Sequence, residues 1–243
     1  MIPGDGTYRE LVERWQSLHD ARVRLQRVAC PSSDRTLLCA EIGDSRRPRV
    51  AIAAGVHGDE PAGPWALLQL VERGELGPEF CYRLWPCTNP SGFSAQTRAN
   101  ADGIDVNRTF GGEGQSPEAS AIVAANRAIT FALSIDLHED CDSTGFYCYD
   151  YSGGTLGRNA VAAVEAKGLP IDALGCMTPD GAQEALALGG LSYSLALARN
   201  GVRALTFETP SVSAWDTRIA MHATAVLSAL NALLEESAPA RRK

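Results

Sequence analysis

The sequence predicts an α/β fold in a single domain spanning residues 1–243, and three observations lead there. Short apolar runs of strand length alternate along the chain with longer stretches of helical periodicity. No break in composition and no internal repeat divides the chain. Several apolar runs end on a histidine or a glutamate, at the sheet edge where open α/β folds place their ligands. With 243 residues, 45% of them hydrophobic, the chain can bury a sizeable core.

The first element is a helix from Thr7 as a cap to about Leu18, with Leu11, Trp15 and Leu18 at helical spacing. Residues 23–29 and 36–42 read as strands joined by the turn Pro31-Ser32-Ser33-Asp34. Val50 to Ala54 is a buried strand leading into Gly55-Val56-His57-Gly58-Asp59-Glu60-Pro61. Ala62 to Val71 is a helix with Pro61 near its first turn, closed by Gly74. Phe80 to Pro86 is a further strand. Asn89 to Pro117 shows no sustained period, and its spaced Asn, Arg and aromatic residues read as a functional loop. A helix is predicted over Glu118 to Thr130, with Ser116 as cap and Pro117 in its first position. Phe131 to Leu137 is a strand that ends at His138. Gly145 to Tyr151 reads as a strand or an aromatic loop, and Asn159 to Ala166 as a helix. Leu169 to Gly190 is poorly determined, with a possible helix over Asp180 to Leu188. Ser192 to Asn200 is a helix ended by Gly201, Val202 to Phe207 a strand with Glu208 at its end, and Asp216 to Glu236 a long helix.

Charge and composition narrow the function. The net charge is −7 and no basic patch stands out, which argues against nucleic acid as the main partner. Arg241-Arg242-Lys243 reads as a solvated tail. The N-terminus lacks the cationic start and apolar run of a signal peptide. No apolar stretch reaches the ~18 residues that span a bilayer, so no membrane association is expected. Seven cysteines without a Cys-x-x-Cys pair read as free, mostly buried thiols of a cytoplasmic protein. No feature specifies an oligomer.

His57, Glu60, His138 and Glu208 share one kind of position, at or just after the C-terminal end of an apolar strand. Two histidines and one glutamate are the donor set of a catalytic zinc with an open fourth position. Zinc lowers the pKa of a bound water to roughly 7, and a second carboxylate beside it can take the proton and pass it on. Gly111-Gly112-Glu113-Gly114 is a flexible turn, since no Lys-Ser/Thr follows it as in a phosphate loop.

Five motifs then occur in order between residue 50 and about residue 210. They are His57-x-x-Glu60; Asn89-Pro90-Ser91-Gly92-Phe93; Thr97-Arg98 leading to Gly103-Ile104-Asp105-Val106-Asn107-Arg108-Thr109-Phe110; Asp136-Leu137-His138; and Thr206-Phe207-Glu208-Thr209. In this order the chain resembles the zinc carboxypeptidase family in its compact bacterial form. That form includes murein-peptide amidases and is related to the aspartoacylase and succinylglutamate desuccinylase enzymes. The resemblance implies a mixed, twisted central sheet with helices on both faces, one Zn2+ per chain and amide hydrolysis next to a free carboxylate. His57, Glu60 and His138 would bind the zinc. Glu208 would be general base and then general acid. Arg98 would stabilise the oxyanion, with Arg83 and Arg127 as alternatives. Asn107 and Arg108 would hold the substrate carboxylate, a task that suits the planar guanidinium fork.

Departures from the family pattern leave some roles open. Tyr147, Tyr149, Tyr151 and Tyr193 all compete for the family's substrate-covering tyrosine. The acidic run Glu139-Asp140-Cys141-Asp142 reads as a solvated loop, as support for the ligand His138, or as a site for a cationic substrate group. Asp105 is expected to brace its own loop, Asp59 to orient a ligand or cap the following helix, and His19 and His222 to be ordinary surface or packed histidines. The expected substrate is a small peptide, with a cell-wall-derived peptide as one form of it. The closest rival is an N-acyl amino acid deacylase, and the rival from another class is a binding protein that keeps the fold without catalysis.

Overall fold

The computed structural model describes residues 7–111, 114–180 and 189–237. The possible helix over 180–188, the centre of the Gly111–Gly114 turn, the first six residues and the basic tail therefore lie outside the described residues, Asp180 excepted.

Among the described residues eight strands form one mixed sheet: β1 (Val23–Ala29), β2 (Thr36–Ile42), β3 (Arg49–Ala54), β4 (Cys81–Trp85), β5 (Leu133–Asp140), β6 (Phe146–Asp150), β7 (Ile171–Met177) and β8 (Ala204–Pro210). Their order across the sheet is β1-β2-β4-β3-β5-β8-β6-β7. The centre, β4-β3-β5-β8, is parallel, while β1, β2 and β6 join it through antiparallel pairings. The chain places β4 on one side of β3 and β5 on the other. The crevice between β3 and β5 is thus a topological switch point, the place where such sheets bind ligands.

Among the described residues seven helices accompany the sheet: α1 (Tyr8–Gln16), α2 (Ala62–Glu72), α3 (Pro90–Ala95), α4 (Pro117–Asn126), α5 (Leu156–Ala166), α6 (Tyr193–Arg199) and α7 (Trp215–Ser237). Successive strand residues point to opposite faces, so each central strand feeds two cores. Val50, Ile52 and Ala54 join Leu133, Ile135, Leu137 and Phe207 in the larger core, beneath α1, α2, α5 and α7. Ala53, Cys39 and Trp85 face the smaller core, covered by Ile122 of α4 and Tyr193 of α6. Burial on both faces is why these strands read as continuous apolar runs rather than alternating ones. Among the described residues, no helix is long and apolar enough to cross a membrane. All seven cysteines are free, five of them buried.

The structure departs from the sequence reading at three places and decides two that the sequence left open. The irregular segment 89–117 contains α3 and a 3₁₀ turn, Val106–Arg108, each too short to show a period. Strand β5 does not end at His138 but runs to Asp140, because β8 pairs with it as far as Asp140↔Pro210. The same pairing carries β8 past Glu208. Residues 146–150 are a strand, and the undetermined stretch after 169 contains the edge strand β7, paired with β6.

Candidate active site

The turn between β3 and α2 is shaped by two glycines. Gly55 leaves β3 with φ +62°, and a Cβ there would lie 2.9 Å from the Pro64 ring. Gly58 packs so closely on α3 that a Cβ would fall 1.9 Å from the carbonyl carbon of Gly92. This contact docks the β3–α2 turn onto the 89–110 loop, with Gly58 N–H donating to Thr97 O at 3.0 Å. Asn89 secures the same junction. Its Oδ1 accepts from Gly92 N at 2.9 Å, and its Nδ2 donates to Val56 O and Arg98 O, both at 3.2 Å. Farther along, Asn100 Oδ1 accepts from Asp102 N and Ile104 N, and Asn100 Nδ2 donates to the fully buried Glu118 at 3.0 Å. Glu118 is also ion-paired with Arg35 at 2.8 Å. Short polar side chains thus take over the bonding that a regular ladder would supply.

His57 and Glu60 come from this turn, and His138 from β5. The Nδ1 of each histidine faces Glu60: His57 Nδ1 is 2.6 Å from Oε1 and His138 Nδ1 is 2.9 Å from Oε2. The three donor atoms lie within 4.8 Å of one another, and all three residues are buried. The far nitrogen of each ring meets a second carboxylate. His138 Nε2 is 3.0 Å from Asp136 Oδ2, and His57 Nε2 is 3.3 Å from Asp105 Oδ1, too poorly aligned for a full hydrogen bond. Two imidazole nitrogens and a carboxylate, with carboxylates behind both rings, fit a zinc site and its supporting shell. Strand alternation accounts for Asp136, which shares a face of β5 with His138 two residues on.

The electrostatics follow from this packing. Burial opposes ionisation of Glu60, but His138 and His57 outweigh it and hold its carboxyl below the usual range. Burial would lower His138, yet Asp136 and Glu60 raise it well above an ordinary histidine. Burial also opposes ionisation of Asp105, and His57, Arg98 and Arg108 overcome that. Asp105 braces its own turn by accepting from Asn107 N at 3.0 Å, and it also receives Arg98 Nε at 3.0 Å. Glu208 behaves differently. Burial pushes its carboxyl up to about 8, with His138 opposing and Glu60, Asp140 and Asp136 adding to the rise. A carboxyl near neutrality is suited to both taking and returning a proton.

These groups line a cavity of about 560 Å³ that brings together His57, Glu60, Arg98, Asn107, Arg108, His138 and Glu208, all seven residues singled out in the sequence. Arg98, half exposed, sets Nη1 3.3 Å from His57 Nδ1 and 3.7 Å from Glu60 Oε1. Neither alternative arginine lines the cavity: Arg83 is paired with Glu41 at 2.6 Å, and Arg127 is exposed at the end of α4. Asn107 is engaged inside the protein, its Oδ1 accepting from Tyr193 N at 2.9 Å and its Nδ2 lying 3.4 Å from His138 Nε2. Tyr147 and Tyr149 share one face of β6, and with Tyr151 just beyond it they line the cavity, whereas Tyr193 is buried against Phe110. The Tyr147 hydroxyl donates to Asp140 at 2.8 Å. Glu139 and Asp140 are therefore not a solvated loop: both belong to β5, and Glu139 is buried. His19 is exposed, and His222 is fully buried with Nε2 3.2 Å from Thr209 Oγ1. A wider surface groove of about 800 Å³, beside α5 and α7, contains no cluster of metal-donating groups among the described residues.

The mixed sheet, with paired histidines and carboxylates at its switch point, has the fold of metallocarboxypeptidase-like enzymes. More particularly, the chain belongs to the succinylglutamate desuccinylase/aspartoacylase catalytic domain family, whose model matches residues 46–232. The fold is shared with solved structures of low sequence identity. A Shewanella baltica protein assigned as a metallopeptidase aligns with TM-score 0.72 at 22% identity, covering 95% of this chain and 91% of that one. The metallo-carboxypeptidase of Burkholderia cenocepacia gives TM-score 0.75 at 20% identity, covering 95% and 69%. The Pseudomonas aeruginosa metallo-carboxypeptidase, in complex with (2-guanidinoethylmercapto)succinic acid, gives TM-score 0.75 at 20% identity, covering 94% and 68%. Carboxypeptidase SOL1 of Arabidopsis thaliana is 32% identical over 111 residues. That match takes in 37% of this chain and 23% of SOL1, so the chain spans less than a quarter of that relative.

Proposed function

We propose that the protein is a zinc-dependent hydrolase of amide bonds that lie next to a free carboxylate, in the manner of a carboxypeptidase. The observation that carries this reading is the convergence of His57 Nδ1, His138 Nδ1 and the Glu60 carboxylate in the same cavity as the buried Glu208. His57, Glu60 and His138 are the residues that would hold the zinc, one per chain. Bound there, zinc supplies Lewis acidity to a carbonyl oxygen and makes a water acidic near neutral pH. Arg108, at the cavity edge, receives the terminal carboxylate of the substrate. Arg98 places a guanidinium beside the ligand set, where it stabilises negative charge growing on the scissile carbonyl oxygen. The Glu208 carboxylate takes the proton of the attacking water and returns it to the leaving nitrogen. Asn107 keeps His138 and α6 in register and takes part in substrate binding through that placement.

The family match over residues 46–232 favours a second reading, deacylation of N-acyl amino acids. Both readings use the same residues and differ in the acyl side of the bond. Zinc-loaded protein assayed against short peptides and N-acyl amino acids separates them: turnover of peptides supports the first, and turnover of acyl amino acids alone replaces it with the second. In either case Glu208→Gln should abolish most of the rate while retaining zinc. A Glu208→Gln protein with the full rate would contradict the mechanism.

A further inference from the structure

Glu60, like His57, has no helix or strand backbone around it. It lies in the connection between β3 and α2, whereas His138 is held inside a paired strand. Its carboxylate is nevertheless gripped from behind by one residue. Glu139 donates its backbone N–H to Glu60 Oε2 at 3.1 Å. The Glu139 side chain turns to the other face of β5, where Oε1 accepts from Ala62 N at 2.6 Å. The same residue therefore holds the donor side chain and the first peptide of α2, two residues beyond it. The Glu139 carboxylate is fully buried, and such a charge persists only if it is paired. Its partner is Arg218 in the first turn of α7, whose Nη1 meets Oε2 and whose guanidinium lies over the Trp215 ring at 5.2 Å.

We infer that Arg218 and Glu139 are positioning residues that fix the Glu60 carboxylate and so set the affinity of the site for its metal. The inference rests on the reading of His57, Glu60 and His138 as the metal donors. Neither residue is asked to touch the substrate. Arg218 is absent from the cavity lining; Glu139 borders the cavity, but both its carboxylate oxygens are taken up by Ala62 N and Arg218. The chain of contact runs from α7 through Glu139 to the α2 N-terminus and Glu60, and it joins the long helix to the turn that carries two of the three donors. Carboxylates and backbone groups behind a metal ligand act in this way by removing its alternative rotamers before the ion arrives.

The test is zinc affinity, measured by competition with a chromogenic chelator on metal-stripped protein, with an unfolding midpoint recorded for each variant. Arg218→Met leaves the buried Glu139 carboxylate without its partner, and zinc should bind ~10–100-fold more weakly, the usual cost of losing support behind a ligand. Arg218→Lys keeps the charge but loses the planar fork and should fall between. In the double variant Arg218→Met/Glu139→Gln the uncompensated charge is gone while the amide oxygen can still accept from Ala62, and most of the affinity should return. Arg83→Met is the control. It breaks another arginine–glutamate pair, Arg83 of β4 with Glu41 of β2 at 2.6 Å and with Trp85 beneath the guanidinium, which makes no contact with Glu60 or Glu139. It should lower the unfolding midpoint and leave zinc affinity unchanged. An Arg218→Met protein within about twofold of wild type, or an Arg83→Met protein weakened as much as Arg218→Met, overturns the inference. Wild-type protein that binds no zinc removes the donor assignment itself, and that result is visible before any variant is made.

Discussion

Two walls of the same cavity are built in opposite ways. One is the loop from Asn89 to Phe110, which is mostly irregular yet fixed at almost every turn by Asn89, Asn100, Asp105 and the buried Glu118. The other is strand β6, regular in backbone, which presents Tyr147 and Tyr149, with Tyr151 just beyond its end, the successive ring centroids 5.7 and 6.4 Å apart. The loop carries Arg98 and Arg108 beside the candidate metal donors. The strand offers aromatic faces and, through the Tyr147 hydroxyl, the Asp140 carboxylate. Regular secondary structure is therefore no guide to which wall performs the chemistry. In this account the loop is built for position and the strand for selection.

The sharpest test of that division is a pair of substitutions. Arg98→Met, on the loop, should lower kcat/KM by ~10²–10³-fold for every substrate, the usual cost of removing one donor to a developing oxyanion. Tyr149→Phe, on the strand, should change the ranking of substrates and leave the best rate within about tenfold, since it touches selection only. Steady-state kinetics on a common substrate panel reads both, and a uniform loss of rate in Tyr149→Phe would erase the distinction.

Stability gives a second contrast. Asn89→Ala frees the Val56 and Arg98 carbonyls and the Gly92 N–H together, and should cost ~1–3 kcal/mol in urea unfolding. Tyr147→Phe loses one bond to a carboxylate that still accepts from Asp142 N, and should cost about 1 kcal/mol or less. Equal losses would mean that the loop is no more determined than the strand.

At neutral pH the smallest expected effect lies behind both walls. His222, against Thr209 of β8, is held neutral by burial, with His138 adding to the effect, and its pKa falls to about 3. A histidine depressed in the folded state contributes stability that is present above the ordinary histidine range and is lost as pH falls from about 6.5 toward 3. His222→Gln should flatten that part of the stability–pH curve, measured by denaturation at a series of pH values. An unchanged slope would mean that other groups account for the acid sensitivity.

The contrast between the walls also explains what could be read from the sequence. The loop was legible because its geometry is made by side chains, and side chains that cap turns must stand at fixed offsets. Asn89 before Pro90 and Asp105 before Val106-Asn107 are such offsets, and the structure uses both as caps. The apolar run of β3 was legible because burial on both faces leaves no polar interruption between Val50 and Ala54, and those of β2 and β4 are broken only by Glu41 and Arg83, which pair with each other. Strand β7 was not, because an edge strand is half exposed and its pattern carries little signal. The extension of β5 to Asp140 was hidden for another reason: Glu139 and Asp140 look like loop residues, and only the pairing with β8 and the Arg218 partner, 79 residues away, keep them in a buried strand. The place of Asp136 behind His138 could have been found, since residues two apart in a strand share a face. The Arg218 contact had no local signal at all.

The central claim is that two histidines and a glutamate form a metal site, and the metal content of the purified protein tests it most directly. Wild type and His138→Ala are incubated with zinc, cleared of loosely bound ion and assayed for zinc per chain. The account predicts about one zinc per wild-type chain, in line with three protein ligands and an open position, and loss of it in His138→Ala. No zinc in either protein, or equal zinc in both, would contradict it.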